Sequence, residues 1–449
     1  MNDTLKNNQV KALKICAENF LKKHSMHYSE IDMEKQVDLF ISEMNAGLAG
    51  EESSLKMYPT FIGFEKGLQP DEPVLALDAG GTNLRSAIVS FDENGRHKLS
   101  RLSRTRMPGI ESEATIEQFF SAIADNLEDK IRDCRKIGFV FSYPIEIFPN
   151  RDGKLIRFTK EIKARQVEGQ FIGKKLKEEL SHRGYKNVKD IVLLNDTAAS
   201  LLAGITAFKQ RQYSSYIGFV LGTGMNACYI ESNSNIKKLP EGQLDSQNFG
   251  LVNIEAGQYL KGPLGLIDKE FDSKTLNPSL STYEKMFSGA YLGALTTEVI
   301  RFAVMDGLFS GGFAKVFNEF EGFKSKDIDD YLYFPPQDER LVILLKKMDS
   351  RDMILLHYLF DSMIERAAIL ASIVLASAII KADAGHDPCN PVCIVAEGSS
   401  FYKMKNFHSR LDFYIKKILS VKGIYNFEIN KVDDAIMIGA AVAGISPCC

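Results

Sequence analysis

The chain has 449 residues, 45% apolar and 25% charged, which is enough apolar material for a sizeable core in two or three domains. Lys plus Arg number 55 against 58 Asp plus Glu, a net charge of −3, which argues against nucleic-acid binding by bulk charge. There is no Trp beside 29 Phe and 16 Tyr.

Residues 5–49 read as helix, with Leu13, Phe20, Leu21, Val37, Phe40, Ile41 and Met44 at three- and four-residue steps. The first residues carry no apolar run, so no signal peptide is expected. Residues 50–73 hold Gly and Pro punctuation and read as loop. Residues 74–91 place two apolar runs around Asp78-Ala-Gly-Gly-Thr-Asn83, a strand–turn–strand hairpin. A helix is predicted over 115–133, buried strands at Ile137–Ser142 and Ile191–Asn195, and a helix over 197–209.

A second hairpin is predicted at 216–231, turning at Gly222-Thr-Gly224. The two Gly-turn hairpins lie about 140 residues apart and suggest a duplicated α/β unit. Helical patterns fill 283–303 and 352–382, a strand is predicted at Val392–Ala396, and a helix at Asp433–Gly444. The longest apolar stretch, Ala367–Ile380, is shorter than the ~20 residues a bilayer needs and reads as a buried helix, so no membrane partner is expected. Seven Cys at scattered spacings complete no zinc pattern and suit reduced thiols in a cytoplasmic protein. The terminal Cys448–Cys449 pair is not a prenylation box.

Both glycine turns can direct backbone N–H groups at an anion, phosphate being the commonest. Asp78 adds a carboxylate that could hold hydrated Mg²⁺ beside phosphates. Turn chemistry alone favours an ordinary tight hairpin. Gly222-Thr-Gly-Met-Asn-Ala227 matches a dinucleotide fingerprint, but a strand and not a helix follows it. No P-loop and no protein-kinase catalytic motif occurs. Asp196 ends an apolar strand, where open α/β sheets bind ligands and a carboxylate can accept a hydroxyl proton. On position alone an N-cap is the simpler reading of it.

Taken together these segments resemble the hexokinase family in its large eukaryotic type. The resemblance is carried, in order, by Leu77-Asp-Ala-Gly-Gly-Thr-Asn-Leu-Arg85, Gly138-Phe-Val-Phe-Ser-Tyr-Pro144, Leu155-Ile-Arg-Phe-Thr-Lys160 with Val167-Glu-Gly169, Leu194-Asn-Asp-Thr197, Gly222–Glu231, Asn253-Ile-Glu-Ala-Gly257 and Tyr283–Gly293. It implies an α/β, two-lobed actin-like (ribonuclease H-like) fold with the active site between the lobes. Residues 1–65 would be a helical segment packing on the large lobe, 66–200 the small lobe, 201–430 the large lobe, and 431–449 a helix returning to the small lobe.

The resemblance also implies ATP-dependent phosphorylation of a hexose at its 6-hydroxyl. Glucose is the expected substrate, with mannose and fructose left open. The sugar residues would be Ser142, Thr159, Lys160, Asn195, Asp196, Asn226, Glu255 and Glu284, with Asp196 as general base and Lys160 also catalytic, neutralising charge in the transfer. The nucleotide would be held by Asp78, Gly80, Gly81, Thr82, Asn83 and Arg85, by Gly222, Thr223 and Gly224, and by Gly398 and Ser399. Mg²⁺ would meet Asp78 through water. The oligomeric state is left open.

The chain departs from the family where Ala256 and Phe158 replace Trp, at Glu397-Gly398-Ser399 in place of Asp-Gly-Ser, and at Ile145 in place of Cys. Phe158 and Ala256 are therefore where sugar choice is expected to differ. A catalytically silent sugar sensor and an actin-like assembly ATPase are the rival readings. The retained Asp196 speaks against the first, and the set Asn195, Asn226, Glu255 and Glu284 against the second.

Overall fold

The computed structural model of the chain describes residues 2–63, 72–158, 162–208 and 210–447. It contains two main sheets. The first holds β2 (Val74–Ala79), β3 (Asn83–Phe91), β4 (His97–Arg106), β5 (Lys136–Phe141) and β8 (Asp190–Leu194), in the order β4-β3-β2-β5-β8. The second holds β1 (Tyr58–Pro59), β9 (Ser215–Leu221), β10 (Met225–Ser232), β11 (Phe249–Asn253), β12 (Val392–Glu397) and β13 (Phe427–Asn430), in the order β1-β11-β10-β9-β12-β13. A small hairpin of β6 (Ile145–Ile147) and β7 (Gly153–Leu155) flanks the first.

Apart from the added edge strand β1, the two sheets repeat one topology. An antiparallel meander (β2-β3-β4, or β9-β10-β11) is continued from its first strand by two parallel strands (β5 and β8, or β12 and β13). The duplication hinted at by the paired hairpins is thus present as topology.

Both central strand sets are buried on both faces, and side-chain alternation sorts them. In β2, Leu75, Leu77 and Ala79 face a core completed by Phe119, Phe120 and Ile123 of helix Ile116–Leu127 and Leu176 and Leu180 of helix Ile172–His182. Val74 and Ala76 face the opposite core, with Met437, Ile438 and Ala441 of helix Ala435–Ile445. β8 divides the same way, Ile191 and Leu193 against Val192 and Leu194.

Two helices lie between the sheets, and each packs on the sheet that it does not follow. Helix Asp196–Ala207 leaves β8 and packs on β9 and β12, while helix Ala435–Ile445 leaves β13 and packs on β2 and β5. The approach is backbone to backbone. A Cβ at Gly138 of β5 would collide with the Ala440 carbonyl, so only glycine fits. The strand ends carrying Asp78, Asn195 and Asp196 are therefore held against one rigid central layer.

The outer face of the second sheet is covered by helices Asn2–Lys23, Met33–Ala49, Leu292–Met305, Ser350–Lys381 and Phe407–Lys422. The long helix has 32 residues, enough to cross a membrane by length and composition, yet 89% of its most apolar window is buried inside the protein. The single helical pattern over 5–49 is broken into two helices. Ser25 adopts a left-handed backbone, and Asp32 caps the second helix by accepting from Lys35 N at 3.1 Å. The cysteines among the described residues are all unpaired, Cys134, Cys228 and Cys393 buried and Cys16 and Cys389 exposed.

Candidate active site

The turn between β2 and β3 presents Gly80, Gly81 and Thr82 to solvent, with Asp78 and Arg85 behind it. Asp78 and Arg85 are directly paired in the antiparallel register. Arg85 donates to Asp78 Oδ2 through Nε at 2.8 Å and Nη2 at 2.7 Å, and Asp78 is only 5% exposed. The turn itself is fixed: Gly80 N donates to Asn83 O at 3.0 Å, Tyr143 Oη donates to Gly80 O at 2.5 Å, and Asn83 Nδ2 donates to Thr82 Oγ1 at 2.7 Å. Ser142 lies alongside, its N–H donating to Ala79 O at 3.1 Å.

The second turn is held as tightly. Gly222 N donates to Gly224 O at 2.9 Å, and Gly222 O accepts from Gly289 N at 2.8 Å and Ser400 Oγ at 3.1 Å. Thr223 O accepts from Ala290 N at 3.0 Å. Gly398 has φ +108°, and a Cβ there would strike the Leu221 carbonyl, so the Gly398–Ser399 turn lies on the Gly222 turn. Glu397, just before it, is pushed up to about 7 by burial, although Lys431 and Arg85 pull it down. Arg85 of the first sheet and Glu397 of the second thus lie within electrostatic reach of each other.

A polar cluster adjoins the second turn, where a Cβ at Gly224 would lie 2.6 Å from Glu284 Oε2. Asn195, not Asp196, is the N-cap of helix Asp196–Ala207: its Oδ1 accepts from Thr197 N at 2.9 Å and Thr197 Oγ1 at 2.8 Å. Asp196 is the first helical residue, and the capping explanation for it is set aside. Asn226 Nδ2 donates to Asn253 Oδ1 at 2.7 Å and Asn195 Oδ1 at 3.3 Å. Its Oδ1 accepts from Ala227 N at 2.7 Å and Ala256 N at 3.1 Å, so all four hydrogen-bonding positions of this carboxamide meet protein. Asn253 Nδ2 passes the chain on to Glu255 Oε1 at 2.8 Å, and Gln258 Nε2 reaches Glu255 Oε2 at 3.3 Å. Glu284 Oε2 accepts from Met225 N at 2.9 Å.

Glu255 sits in a left-handed backbone, φ 59° and ψ 45°, a strain of about 1–3 kcal/mol that a packed environment must hold. Burial raises its carboxyl to about 7, and the Asp196 and Glu284 carboxylates add to that against the bonds from Asn253 and Gln258. Three carboxylates therefore share one site. Tyr58, opposite Asn253 in the sheet register, is pushed up to about 12 by burial and by Glu255.

The structure thus brings Asn195, Asp196, Asn226, Glu255 and Glu284 into one cluster, with the Gly222–Gly224 turn against Glu284 and Arg85 of the first turn within electrostatic reach of Glu397. Thr159 and Lys160 lie outside the described residues. Ala256 is fully buried in the large core, directly after Glu255 in the chain. Phe158 packs its ring on Tyr143 at 5.1 Å and Phe119 at 5.6 Å. Sequence reasoning missed Asn253 and Gln258 as site residues. The i, i+2 spacing of Asn253 and Glu255 at a strand end was the available signal for the first. Two hollows of about 800 and 350 Å³ lie elsewhere, beside helix Ile172–His182 and between Val10 and helix Ser350–Lys381.

Two sequence models match the chain, both described as hexokinase, over residues 18–206 and 216–446. Hexokinase-1 of Schizosaccharomyces pombe is 32% identical over 62% of this chain and 59% of its own length. Hexokinase-2 of Rattus norvegicus is 27% identical over 85% of this chain and 43% of its own. The chain thus spans about half the length of these curated relatives. The solved hexokinase from Schistosoma mansoni complexed with glucose superposes with a TM-score of 0.78 at 24% identity, covering 97% of this chain and 99% of that one, which shows the fold.

Proposed function

The chain belongs to the hexokinase family, and from that premise we propose that it transfers the γ-phosphoryl group of ATP to the 6-hydroxyl of a hexose, glucose foremost. The observation that carries this reading is the convergence of Asp196, Glu255 and Glu284 with three linked Asn carboxamides beside two glycine turns. A hexose presents hydroxyls, and carboxylates and carboxamides are the groups that bond them from fixed directions. That the Schistosoma mansoni relative was solved with glucose supports the choice of sugar.

Glu255 and Glu284 would accept hydrogen bonds from sugar hydroxyls, and Asn195 would donate through the amide nitrogen that its capping bonds leave over. Asn226, saturated by protein, would act by holding Asn195 and Asn253. Asp196 would take the 6-hydroxyl proton as that oxygen attacks the γ-phosphorus, the bond to the bridging oxygen breaks and ADP leaves. The amides of both glycine turns and Arg85 would meet phosphate oxygens. Lys160 is assigned charge neutralisation by the family resemblance alone. The oxygen donor Asp78, at the mouth of a glycine turn, fits an ion that keeps most of its waters and binds chiefly through phosphates. Mg²⁺ bound there with ATP supplies charge neutralisation at the phosphates. Closure of the two lobes on sugar would exclude the water that competes for the phosphoryl group.

The test is ADP release from ATP that requires both hexose and Mg²⁺. Sugar-independent release, or sugar binding without release, contradicts the proposal.

A further inference from the structure

Glu255 opens a single 3-10 turn, Ala256–Gln258, and Gln258 N donates to Glu255 O at 3.0 Å. That bond folds the chain back at the turn, and the Gln258 carboxamide reaches Glu255 Oε2 at 3.3 Å. On the other side Asn253 Nδ2 holds Oε1 at 2.8 Å. Each carboxylate oxygen has two lone-pair positions. With one on each oxygen taken by a carboxamide, one acceptor position remains on each, in a direction fixed by the clamp. Among the described residues the Gln258 side chain makes no other hydrogen bond, and it is half-buried beside the cluster.

We infer that Gln258 is a positioning residue that sets sugar selectivity, by fixing the second oxygen of Glu255 so that only hydroxyls in matching directions can bond it. This deepens the hexokinase reading and rests on Glu255 meeting sugar. The physics is that of unpaired polar groups: an epimer whose hydroxyl points elsewhere leaves a buried acceptor unsatisfied. Without the clamp Glu255 can rotate to follow the wrong epimer, and discrimination narrows. Gln258 also stabilises the ionised carboxylate, so its loss moves Glu255 further up.

The test compares wild type with Gln258→Leu and Gln258→Ala. Glucose, mannose and galactose serve as probes, with binding by calorimetry, turnover by ADP release and folding by thermal melts. The expected result is a roughly tenfold weaker glucose affinity and KM, as befits one charge-assisted hydrogen bond. The gap between glucose and its epimers should shrink, kcat should change far less than KM, and the acidic limb of the affinity profile should move to higher pH. A purely structural role would lower Tm and kcat while leaving selectivity and the pH profile as in wild type, and that result overturns the inference. So does unchanged glucose affinity in both variants. Failure of wild type to bind any hexose would overturn the underlying reading as well, which separates the two failures.

Discussion

Asp78 and Arg85 face each other across β2 and β3, and two guanidinium nitrogens converge on one oxygen of a carboxylate that is only 5% exposed. The pair fixes the carboxylate at the mouth of a glycine turn, and the arginine side chain is 37% exposed. Replacing Arg85 by Ala removes both guanidinium bonds from that carboxylate. Stability is expected to fall by about 1–2 kcal/mol, discounted for the exposed side of the arginine. The KM for ATP should rise while hexose affinity stays near wild type. Thermal melts and nucleotide titrations measure both.

Glu255 makes a pH prediction whose sign can be worked out. Its carboxyl, raised by burial to about 7, lies above its ordinary 4.5. Between those limits the native state binds more protons than the unfolded one, so its contribution to stability falls as pH rises from about 4.5 through 7. Sugar hydroxyls that donate to Glu255 favour its ionised form. Hexose affinity should therefore rise as pH increases from 6 to 8, with proton release on binding below 7. Calorimetry in buffers of different ionisation enthalpy reads the released proton directly, and Glu255→Gln should abolish it.

Asp268 and Arg366 form a bidentate pair of 2.5 and 3.1 Å inside the large core, 3% and 1% exposed. Asp268 also accepts from Gly265 N at 2.7 Å, tying the segment after the site to the long helix. Asp268→Ala strands a buried guanidinium and is expected to cost about 3–5 kcal/mol. Urea unfolding should show the loss, while turnover per folded molecule stays close to wild type.

Legibility in the sequence followed burial. β2, β5, β8 and β9 were readable because they are continuous apolar runs buried on both faces. β4 went unread because its residues are polar and mostly exposed, so no apolar pattern marks it. The short strand β11 hides within Phe249–Asn253, next to an Asn- and Ser-rich loop. The exchange of the two central helices between sheets could not be read, since it depends on the collision at Gly138, a fact of three dimensions. In the site, Asp196, Glu255 and Glu284 were found through their motifs. The linkage Asn195–Asn226–Asn253–Glu255–Gln258 was not, because it joins β10, β11, a 3-10 turn and a helix cap.

The most direct test of the central claim is Asp196→Asn, which keeps the shape of the side chain and removes its capacity to accept a proton. Hexose-dependent ADP release is expected to drop by about 10²–10⁴-fold, the range for loss of a general base, with glucose affinity within about tenfold of wild type. Turnover at the wild-type rate by this variant would contradict Asp196 as the base. A wild-type chain that binds glucose and releases no ADP would contradict the proposed activity itself.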